Sequence, residues 1–399
     1  MVSDSKDITP RTIRAHNIAA NAITTAKVGK KIIHTASADP TTAADAGTGY
    51  EVGSLWNNTS SGEIFVCTDS SEEDSVWRGQ EGEGVNLPVQ NSVGSTNYYF
   101  TGPGPWSGYA GTGSIIKLIF ASDADSDTGY DFQTPAATYD GVGHGSTTHM
   151  FQSGGTGALD SIQSVAYGSL ADSADHGELV GGDSRAHSGL SSATEGFCVG
   201  EKDGPSIVDR YERFSFASPL TAAEVGEMNE IVHSMAGVSG TIQGKGWLCG
   251  GFEAPNNIVD TIQTAPFDAG EHNTADWGEL STGYGNNVGH NNDTTGWVDQ
   301  ASAGPGNQTN QTDNRNNFSL SSPGNGTDSG EAVATTYDRA QPGGISATHG
   351  YSVLGYNPGA GSDPVGIDAM EKFAFASPYN GTDIGEAPSN GYAGMGASD

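Results

Sequence analysis

A short motif of an acidic residue, one spacer residue and a glycine recurs six times along this chain. The intervals between successive copies are 48, 49, 52, 52 and 55 residues. The six copies begin at Asp127, Asp175, Glu224, Asp276, Asp328 and Asp383. A period of about 50 residues is typical of a four-stranded propeller blade and is long for an ankyrin or leucine-rich repeat. The motif therefore predicts that most of the chain consists of copies of one structural unit.

Two further landmarks precede each motif in a fixed order, first an aromatic segment and then a short apolar segment. The aromatic segments carry Tyr99, Phe151, Phe197, Trp247, Trp297 and Tyr351. The apolar segments are bounded by Gly, Pro, Asn, Asp and Ser and show no sustained helical spacing, so both kinds of segment are predicted to be strands. In the motif itself, the carboxylate is expected to accept backbone N–H bonds in a turn while the glycine takes a left-handed conformation.

The repeat predicts an all-β fold in which residues 91–399 form a six-bladed β-propeller, with seven blades or an open array as the alternatives. A hydrophobic content of 34% would by itself suggest disorder, but stacked glycine-rich sheets need only modest cores. Trp247 and Trp297 are predicted to lie in these cores. The three cysteines, Cys67, Cys198 and Cys249, show no metal-ligand spacing and are expected to be small buried residues.

The chain carries a net charge of −32, from 48 acidic and 16 basic residues. Residues 1–31 are the exception, because they contain six Lys or Arg residues and two acidic residues. Nucleic-acid binding is not expected, since phosphate contacts need lysine and arginine. No apolar run approaches the about 20 residues of a membrane span, and no signal-peptide core is found. We therefore expect a soluble chain that is neither inserted into a membrane nor exported by the usual route.

Residues 8–33 hold a second periodicity, with an aliphatic residue at every fifth position. These residues are Ile8, Ile13, Ile18, Ile23, Val28 and Ile33. Neither a helix nor a simple strand places residues with this spacing on one face, and one thin segment cannot bury them alone. Residues 1–35 are therefore predicted to be an oligomerising shaft or anchor segment, in a homo-oligomer that we expect to be a trimer. A disordered tail with accidental spacing is the alternative.

Residues 36–90 are predicted to form a small β module. Two apolar pairs, Leu55-Trp56 and Ile64-Phe65, flank the turn sequence Asn-Thr-Ser-Ser-Gly, which predicts a β-hairpin with an aromatic residue on each strand.

Three parts of the chain resemble fibre proteins of tailed bacteriophages. The run from Gly53 to Asp69, with Trp77 after it, resembles a small module of tail and head fibres. The five-residue periodicity upstream resembles their shaft or anchor segments. The repeats resemble kelch-like repeats of structural proteins of marine phages and cyanophages, most clearly in the last copy, around Tyr351 and Asp383. Copies one and five depart from this pattern, because they lack the glycine pair found in others.

The resemblance implies a virion fibre or spike protein, assembled in the host cytoplasm. Residues 1–35 would dock onto other virion structural proteins, and residues 91–399 would be displayed for attachment to a host-surface glycan. A head or neck decoration with a purely structural role is the first alternative. A polysaccharide depolymerase is the second, because 48 acidic residues could contain a catalytic carboxylate pair.

No catalytic residue is assigned, and the chain is not expected to be an enzyme. The sequence has no nucleophile elbow, phosphate loop or zinc-protease motif. Histidines such as His149 and His349 recur at equivalent positions of the repeat, which favours a structural role for them.

Two polar segments are candidates for glycan binding. Trp106 and Tyr109 lie in a Gly-Pro-rich segment outside the predicted strands, where their rings could stack on sugars. Residues 300–328 are interpreted as an inserted loop rich in Asn, Gln, Thr and Gly, whose amides suit neutral glycans. The asparagines assigned to this site are Asn307, Asn310, Asn314 and Asn316. A long solvated connection is the other interpretation.

Asp123, Asp125 and Asp127 have the alternate spacing of a calcium-binding loop. Against calcium, the twelfth position is Thr134 and not a glutamate, and Asp127 already belongs to the repeated motif. A solvated acidic turn is therefore the default interpretation and calcium binding the alternative. No other cofactor is expected.

Overall fold

The computed structural model of the 399-residue chain consists of strands and their connections, and no helix occurs among the residues that it describes. These are residues 33–79 and 95–399, without 39, 42, 45, 60–63, 72–74, 102–112, 133–140, 156–159, 182–183, 186–187, 204–205, 220, 241–242, 255–256, 269, 271–272, 286, 300–312, 334–342, 358–364 and 392–395. The predicted all-β class is confirmed for this part of the chain. Within it, no helix is long and apolar enough to cross a membrane. The chain divides into two units, residues 1–87 and 88–399.

The first unit contains one sheet. Its strands are β1 (Ile33–Ala36), β2 (Leu55–Asn58), β3 (Ile64–Asp69) and β4 (Val76–Gly79), which pair in that order. β1 runs parallel to β2, and the other pairs are antiparallel. The predicted hairpin is confirmed, because Trp56 on β2 lies opposite Phe65 on β3. Tyr50, Trp56 and Trp77 form an aromatic cluster with ring centroids 5.3–5.9 Å apart.

The last member of the aliphatic series of the N-terminal segment lies in this sheet. Ile33 begins β1, and its Cα lies opposite that of Leu55. β1 thus crosses the predicted boundary between residues 35 and 36 and belongs to the small β module. The other members of the series, Ile8, Ile13, Ile18, Ile23 and Val28, lie outside the described residues.

Among its described residues, the second unit contains six antiparallel sheets of four or five strands, which we number in chain order, and one separate two-stranded ribbon. Sheet 1 contains β5 (Asn97–Thr101), β6 (Ser114–Ile119) and β7 (Ala124–Asp131). Sheet 2 contains β8 (Val142–Gly145), β9 (His149–Ser153), β10 (Ser161–Ala166) and β11 (Ala174–Glu178). Sheet 3 contains β12 (Ser184–Arg185), β13 (Ser188–Ser191), β14 (Glu195–Asp203), β15 (Ser206–Ser215) and β16 (Ala223–Glu227).

The later sheets follow the same plan. Sheet 4 contains β17 (Ala236–Gly240), β18 (Lys245–Cys249), β21 (Thr261–Pro266) and β22 (Ala275–Glu279). Between β18 and β21, the chain forms the separate two-stranded ribbon of β19 (Phe252–Glu253) and β20 (Asn257–Ile258). Sheet 5 contains β23 (Val288–Asn291), β24 (Thr295–Asp299), β25 (Asn314–Ser319) and β26 (Thr327–Glu331). Sheet 6 contains β27 (Gly344–Ile345), β28 (His349–Asn357), β29 (Val365–Ala374) and β30 (Thr382–Gly391). The last strand, β31 (Gly396–Ser398), pairs with β5 and completes sheet 1.

The sequence landmarks map onto equivalent strands in every sheet. We number the strands of each sheet by their pairing order, so that β13 is the first strand of sheet 3 and β31 is the first strand of sheet 1. With this numbering, the aromatic segments form the second strands. The apolar segments form the third strands and the acidic motifs lie in the fourth. The strand predictions for these segments are therefore confirmed, and each sheet corresponds to one sequence repeat.

The acidic motif forms a β-bulge and not the predicted turn. In sheet 2, Gly177 lies opposite Ile162 and Asp175 opposite Gln163, so His176 is an extra residue in the fourth strand. The expected local bond is present, because the Gly177 N–H donates to the Asp175 carboxylate at 3.2 Å. The glycines of copies one, two, four and six have positive φ, for example 140° at Gly177. A bulge bends the strand and re-aims one side chain without ending the pairing, which a sequence motif alone does not distinguish from a turn.

In copies two and four, the spacer residue of the motif bonds to the next sheet. The His176 ring donates from Nε2 to the backbone oxygen of Ser215 in sheet 3, at 2.7 Å. In sheet 4, the Trp277 indole N–H donates to the backbone oxygen of Ser319 in sheet 5, at 3.0 Å. In copies one and five, the spacer hydroxyl instead donates to a backbone oxygen of its own sheet.

Aromatic stacking provides a second link between sheets. In five of the six sheets, the residue after the third strand packs on the second-strand aromatic residue of the preceding sheet; sheet 5 has Leu320 at this position. The stacked pairs, with their centroid distances, are Tyr167 on Tyr99 (4.8 Å), Phe216 on Phe151 (4.5 Å), Phe267 on Phe197 (4.7 Å), Phe375 on Trp297 (4.7 Å) and Phe120 on Tyr351 (4.4 Å). Such pairs contribute about 0.5–1.5 kcal/mol beyond their buried area. In the last pair a residue of sheet 1 packs on sheet 6.

The cores lie between the sheets, as the repeat requires. Trp247 and Trp297 are 0% and 1% exposed, which confirms their predicted place in the core. Cys67, Cys198 and Cys249 are buried and form no disulfide among the described residues, which confirms the prediction that they are small buried residues.

Candidate functional site

The first strands of the six sheets line one narrow pocket, which we call the first-strand pocket. Each sheet provides at least one glycine to it: Gly396, Gly143, Gly189, Gly237, Gly289 and Gly343, with Gly145 as a second glycine from sheet 2. Its volume is about 80 Å³, well below the roughly 300–1,000 Å³ of a typical small-molecule site. The pocket is therefore a poor candidate for a glycan site.

The pocket is narrow because neighbouring first strands touch through their backbones. A Cβ atom on Gly289 would overlap the carbonyl oxygen of Gly237, and one on Gly237 would overlap that of Gly189. A Cβ on Gly143 would likewise overlap the backbone of Gly396. Glycine is required where two backbones approach this closely.

Hydroxyl groups at the pocket also join neighbouring sheets. The Gly145 N–H donates to Ser191 Oγ at 3.2 Å, and the Ser191 N–H donates to Ser239 Oγ at 2.9 Å. The Ile345 N–H donates to Ser398 Oγ at 2.9 Å. These polar atoms are thus used within the protein, which gives the first-strand pocket a structural role.

His144 is a structural histidine between sheets 2 and 3. Its Nδ1 lies 3.1 Å from the backbone oxygen of Leu190, so this nitrogen carries the proton and donates. Its Nε2 then accepts from the Ser153 hydroxyl at 2.8 Å. Burial lowers the pKa of His144 to about 4, which keeps the ring neutral at pH 7.

His149 and His349 occupy equivalent positions, as the repeat predicted. Each ring bonds through Nδ1 to the hydroxyl of the preceding threonine, Thr148 or Thr348, at 2.8 Å. The same local bond in two copies favours the structural role expected from the sequence.

A buried group of charged and polar side chains lies between sheets 5 and 6. This Arg315 cluster consists of Arg315, Asp299, Glu371, His290 and Ser352, which are all at most 4% exposed. The Arg315 guanidinium donates to both Asp299 oxygens and, at 3.1 Å, to Glu371. The Ser352 hydroxyl donates to Asp299 at 2.6 Å.

One guanidinium bonds both carboxylates of the cluster. Burial by itself would raise the pKa of Asp299, but the Arg315 charge, together with His290, holds it well below its ordinary value. The guanidinium also lies 3.7 Å from the centre of the Phe373 ring. Because every member is buried, the cluster holds two sheets together and does not face a ligand.

An open groove lies between sheets 1 and 2, and we call it the Tyr99–Tyr167 groove. Residues that line it include Tyr99, Lys117, Thr148, Tyr167, Ser169 and Asp399. Its volume is about 750 Å³, within the range of ligand sites. It combines stacked rings, hydroxyls and charges, so it is the better candidate for binding.

The walls of this groove are held in place by hydrogen bonds. The Tyr167 hydroxyl donates to the backbone oxygen of Ser398 at 3.2 Å. The Asp399 carboxylate accepts the backbone N–H groups of Thr96 and Asn97 at 2.8 and 2.9 Å. Burial, and then the Asp399 charge, raises the pKa of Tyr99 to about 12, so this phenol stays neutral.

The predicted asparagine site is not a single exposed loop. Asn314 and Asn316 lie in β25, the third strand of sheet 5, so their assignment to a loop was wrong. The Asn314 amide donates to the Tyr284 hydroxyl at 3.3 Å. Asn316 is fully buried. The sequence located the end of this strand, around Phe318, but its beginning was missed because Asn-Arg-Asn-Asn hides the apolar alternation that marks the other copies. Trp106, Tyr109, Asn307 and Asn310 lie outside the described residues.

Asn316 has a role that recurs in other sheets. Its amide oxygen accepts the Ser281 N–H at 2.8 Å, just after the fourth strand of sheet 4. Other third-strand residues accept an N–H from the preceding sheet in the same way: Glu212 from Val180 (3.0 Å), Gln263 from Glu230 (3.0 Å) and Glu371 from Val333 (2.8 Å). A polar residue in a buried strand was the sequence signal for this link.

Two of the three candidate calcium residues, Asp123 and Asp127, have partners within the protein. Asp123 lies just before β7, has a positive φ of 53° and forms an ion pair with Lys372 of sheet 6. Asp127 accepts the Gly129 N–H at 2.8 Å within the bulge. Among the described residues, no group of three or more His, Cys, Asp or Glu side chains is arranged to hold a metal ion.

No family model matches the sequence, and no curated protein matches it.

Proposed function

We propose that residues 88–399 form a closed six-bladed, kelch-like β-propeller. We further propose that the protein is a virion fibre or spike subunit whose propeller attaches the particle to a host-surface glycan. The observation that carries the proposal is the cyclic order of the contacts between sheets.

The step from sheet 6 to sheet 1 supports closure. Phe120 of sheet 1 stacks on Tyr351 of sheet 6, as its equivalents stack on the sheet before them. The Lys372–Asp123 ion pair joins the same two sheets. The last strand, β31, completes sheet 1, so both ends of the repeat region meet there. Closure removes exposed sheet edges that would otherwise promote aggregation.

The glycine contacts support a common axis. Neighbouring first strands touch in the order of Gly396, Gly143, Gly189, Gly237 and Gly289, and the Gly343 N–H then donates to the Gly289 oxygen at 3.2 Å. Six first strands around one narrow pocket is the arrangement expected of a propeller with this number of blades.

The virion assignment is supported by the sequence resemblance of the hairpin module and the repeats. The net charge of −32 suits a head exposed to solvent. The Tyr99–Tyr167 groove supports attachment, because it offers aromatic and hydroxyl groups on a rigid scaffold. A purely structural decoration would not need such a groove to remain open.

A competition experiment tests the proposal. Purified full-length chain, added to host cells before the virions that carry it, is expected to lower virion adsorption. Gly168→Trp should abolish this competition, because the indole would fill the groove. A Cβ at Gly168 meets no atom within 4 Å, so the substitution is compatible with the fold.

Gly324→Trp is the matched control, because a Cβ there also meets no atom within 4 Å and Gly324 lies outside the groove. It should compete as the wild type does. Unchanged adsorption at saturating wild-type chain would contradict attachment and favour the decoration role. Competition by Gly168→Trp would reject the groove as the site.

A further inference from the structure

One position on each third strand lies directly opposite the second-strand aromatic residue. These six positions are Lys117, Ser164, Arg213, Thr264, Asn317 and Lys372. Three of them are basic in a chain that has only 16 basic residues. The contacts of these three cations indicate which of them have a structural role and which is available for binding.

Two of the three cations contact oxygen atoms of the protein. Lys372 forms its ion pair with Asp123 of the next sheet. Arg213 lies 3.5 Å from the Glu195 carboxylate and donates to the backbone oxygen of Asp268 of the next sheet at 3.3 Å. These contacts join sheets, and they leave neither cation available for a ligand.

Lys117 differs from both. Its ammonium lies 5.6 Å from the centre of the Tyr99 ring. No carboxylate of the described residues lies within the 4.0 Å of an ion pair. The segment after the third strand of sheet 2 reads Tyr167-Gly-Ser-Leu170, so Leu170 stands where sheet 1 has Asp123. The acidic residue that neutralises Lys372 thus has no counterpart beside Lys117.

Lys117 instead lines the Tyr99–Tyr167 groove. Burial, and then the nearby His176, lowers the pKa of His149, so that histidine is neutral at pH 7. The Asp399 carboxylate is directed onto backbone N–H groups. Besides Lys117 and this already hydrogen-bonded carboxylate, the described lining of the groove offers neutral donors and acceptors, among them the hydroxyls of the exposed residues Thr148 and Ser169.

We propose that this groove binds a sugar residue that carries a carboxylate, with Lys117 as the cation that pairs with it. The inference rests on the proposed glycan attachment and adds the chemical class of the ligand. A charge-assisted hydrogen bond is roughly twice as strong as a neutral one, so Lys117 provides discrimination as well as affinity. The hydroxyls of Thr148 and Ser169 are placed to bond the sugar hydroxyls.

Trigalacturonate and its carboxyl-reduced, neutral form are the probes, with binding to the full-length chain measured by calorimetry at constant salt. The wild type is expected to bind trigalacturonate at least tenfold more tightly than the reduced sugar. Lys117→Gln should remove this preference. Lys245→Gln is the matched control, because Lys245 also lies over an aromatic ring, 4.7 Å from the centre of Trp277, and does not line the groove. It should keep the preference.

Ser169→Asp is a second variant at an exposed position. It places a carboxylate in the groove and should also remove the preference. Equal binding of the two sugars, absence of trigalacturonate binding, or a preference that survives Lys117→Gln would overturn the inference. If the wild-type chain still competes with virions in that case, only the assignment of an acidic sugar fails and the attachment role stands.

Discussion

Replacing Arg315 with methionine is expected to lower the free energy of unfolding by about 3–5 kcal/mol. The change removes the guanidinium that bonds both Asp299 and Glu371. Both carboxylates are buried, at 4% and 2% exposure, and would lose that compensating charge. Chemical denaturation of the full-length chain at pH 7 measures the loss.

Arg213→Met is the control for this prediction. Arg213 is also on a third strand, but its side chain is 21% exposed and its pair with Glu195 is partly solvated, so its loss should cost at most about 1 kcal/mol. Equal losses for the two variants would contradict the account of the Arg315 cluster.

The loss caused by Arg315→Met is also expected to depend on pH. In the wild type, the depressed pKa of Asp299 contributes stability that is present above its ordinary value of 3.8 and is lost as pH falls through the folded value. The variant lacks this contribution, and protonation of its buried carboxylates at low pH removes their unfavourable charge. The difference in the free energy of unfolding between variant and wild type should therefore shrink as pH falls toward about 4.

Adding Asp299→Asn and Glu371→Gln to Arg315→Met should restore part of the stability at pH 7, because these two carboxylates are then replaced by neutral side chains.

Gly289→Val is expected to destabilise the second unit by about 3 kcal/mol or more. Its Cβ would overlap the backbone oxygen of Gly237 on the neighbouring first strand, and a backbone atom cannot rotate away as a side chain can. The two first strands would have to separate. Thermal and chemical unfolding of the full-length chain measure the effect, and Gly289→Ala should show a smaller loss, of about 1–3 kcal/mol.

Gly324→Val provides the comparison for this substitution. Gly324 has no atom within 4 Å of an added Cβ, so the stability should change by no more than about 0.5 kcal/mol. If Gly289→Val were as stable as Gly324→Val, the close approach of the first strands would be refuted.

The sequence was sufficient to predict the strands and their repetition. Evenly spaced motifs and the aromatic and apolar segments located the second, third and fourth strands of each sheet. The first strands were harder, because Val-Gly-His-Gly145 and its equivalents are short and rich in glycine and have no apolar alternation. Their glycines are explained by backbone contacts between sheets, which no local pattern reveals.

The candidate site was less predictable for the same reason. Lys117 and Tyr167 belong to different repeats, and only the packing of sheet 2 on sheet 1 brings them to one groove. The asparagine hypothesis failed at Asn316 because amide-rich composition was interpreted as a loop, while the amide serves as a buried link between sheets. A comparison of the six equivalent third-strand residues would have identified Lys117 as unusual, since it lacks the acidic counterpart that Lys372 has.

Closure of the six sheets into a ring can be tested by chemical coupling of Lys372 to Asp123. These residues are 249 positions apart in sequence and belong to sheets 6 and 1. A water-soluble carbodiimide joins an amine and a carboxylate that are in contact, without a spacer. Coupling in an equal mixture of isotope-labelled and unlabelled chains, followed by mass spectrometry of the digested protein, distinguishes links within a chain from links between chains. The proposed ring predicts a peptide pair that joins Asp123 to Lys372 within one chain. Absence of that pair, or its formation only between chains, would contradict the ring.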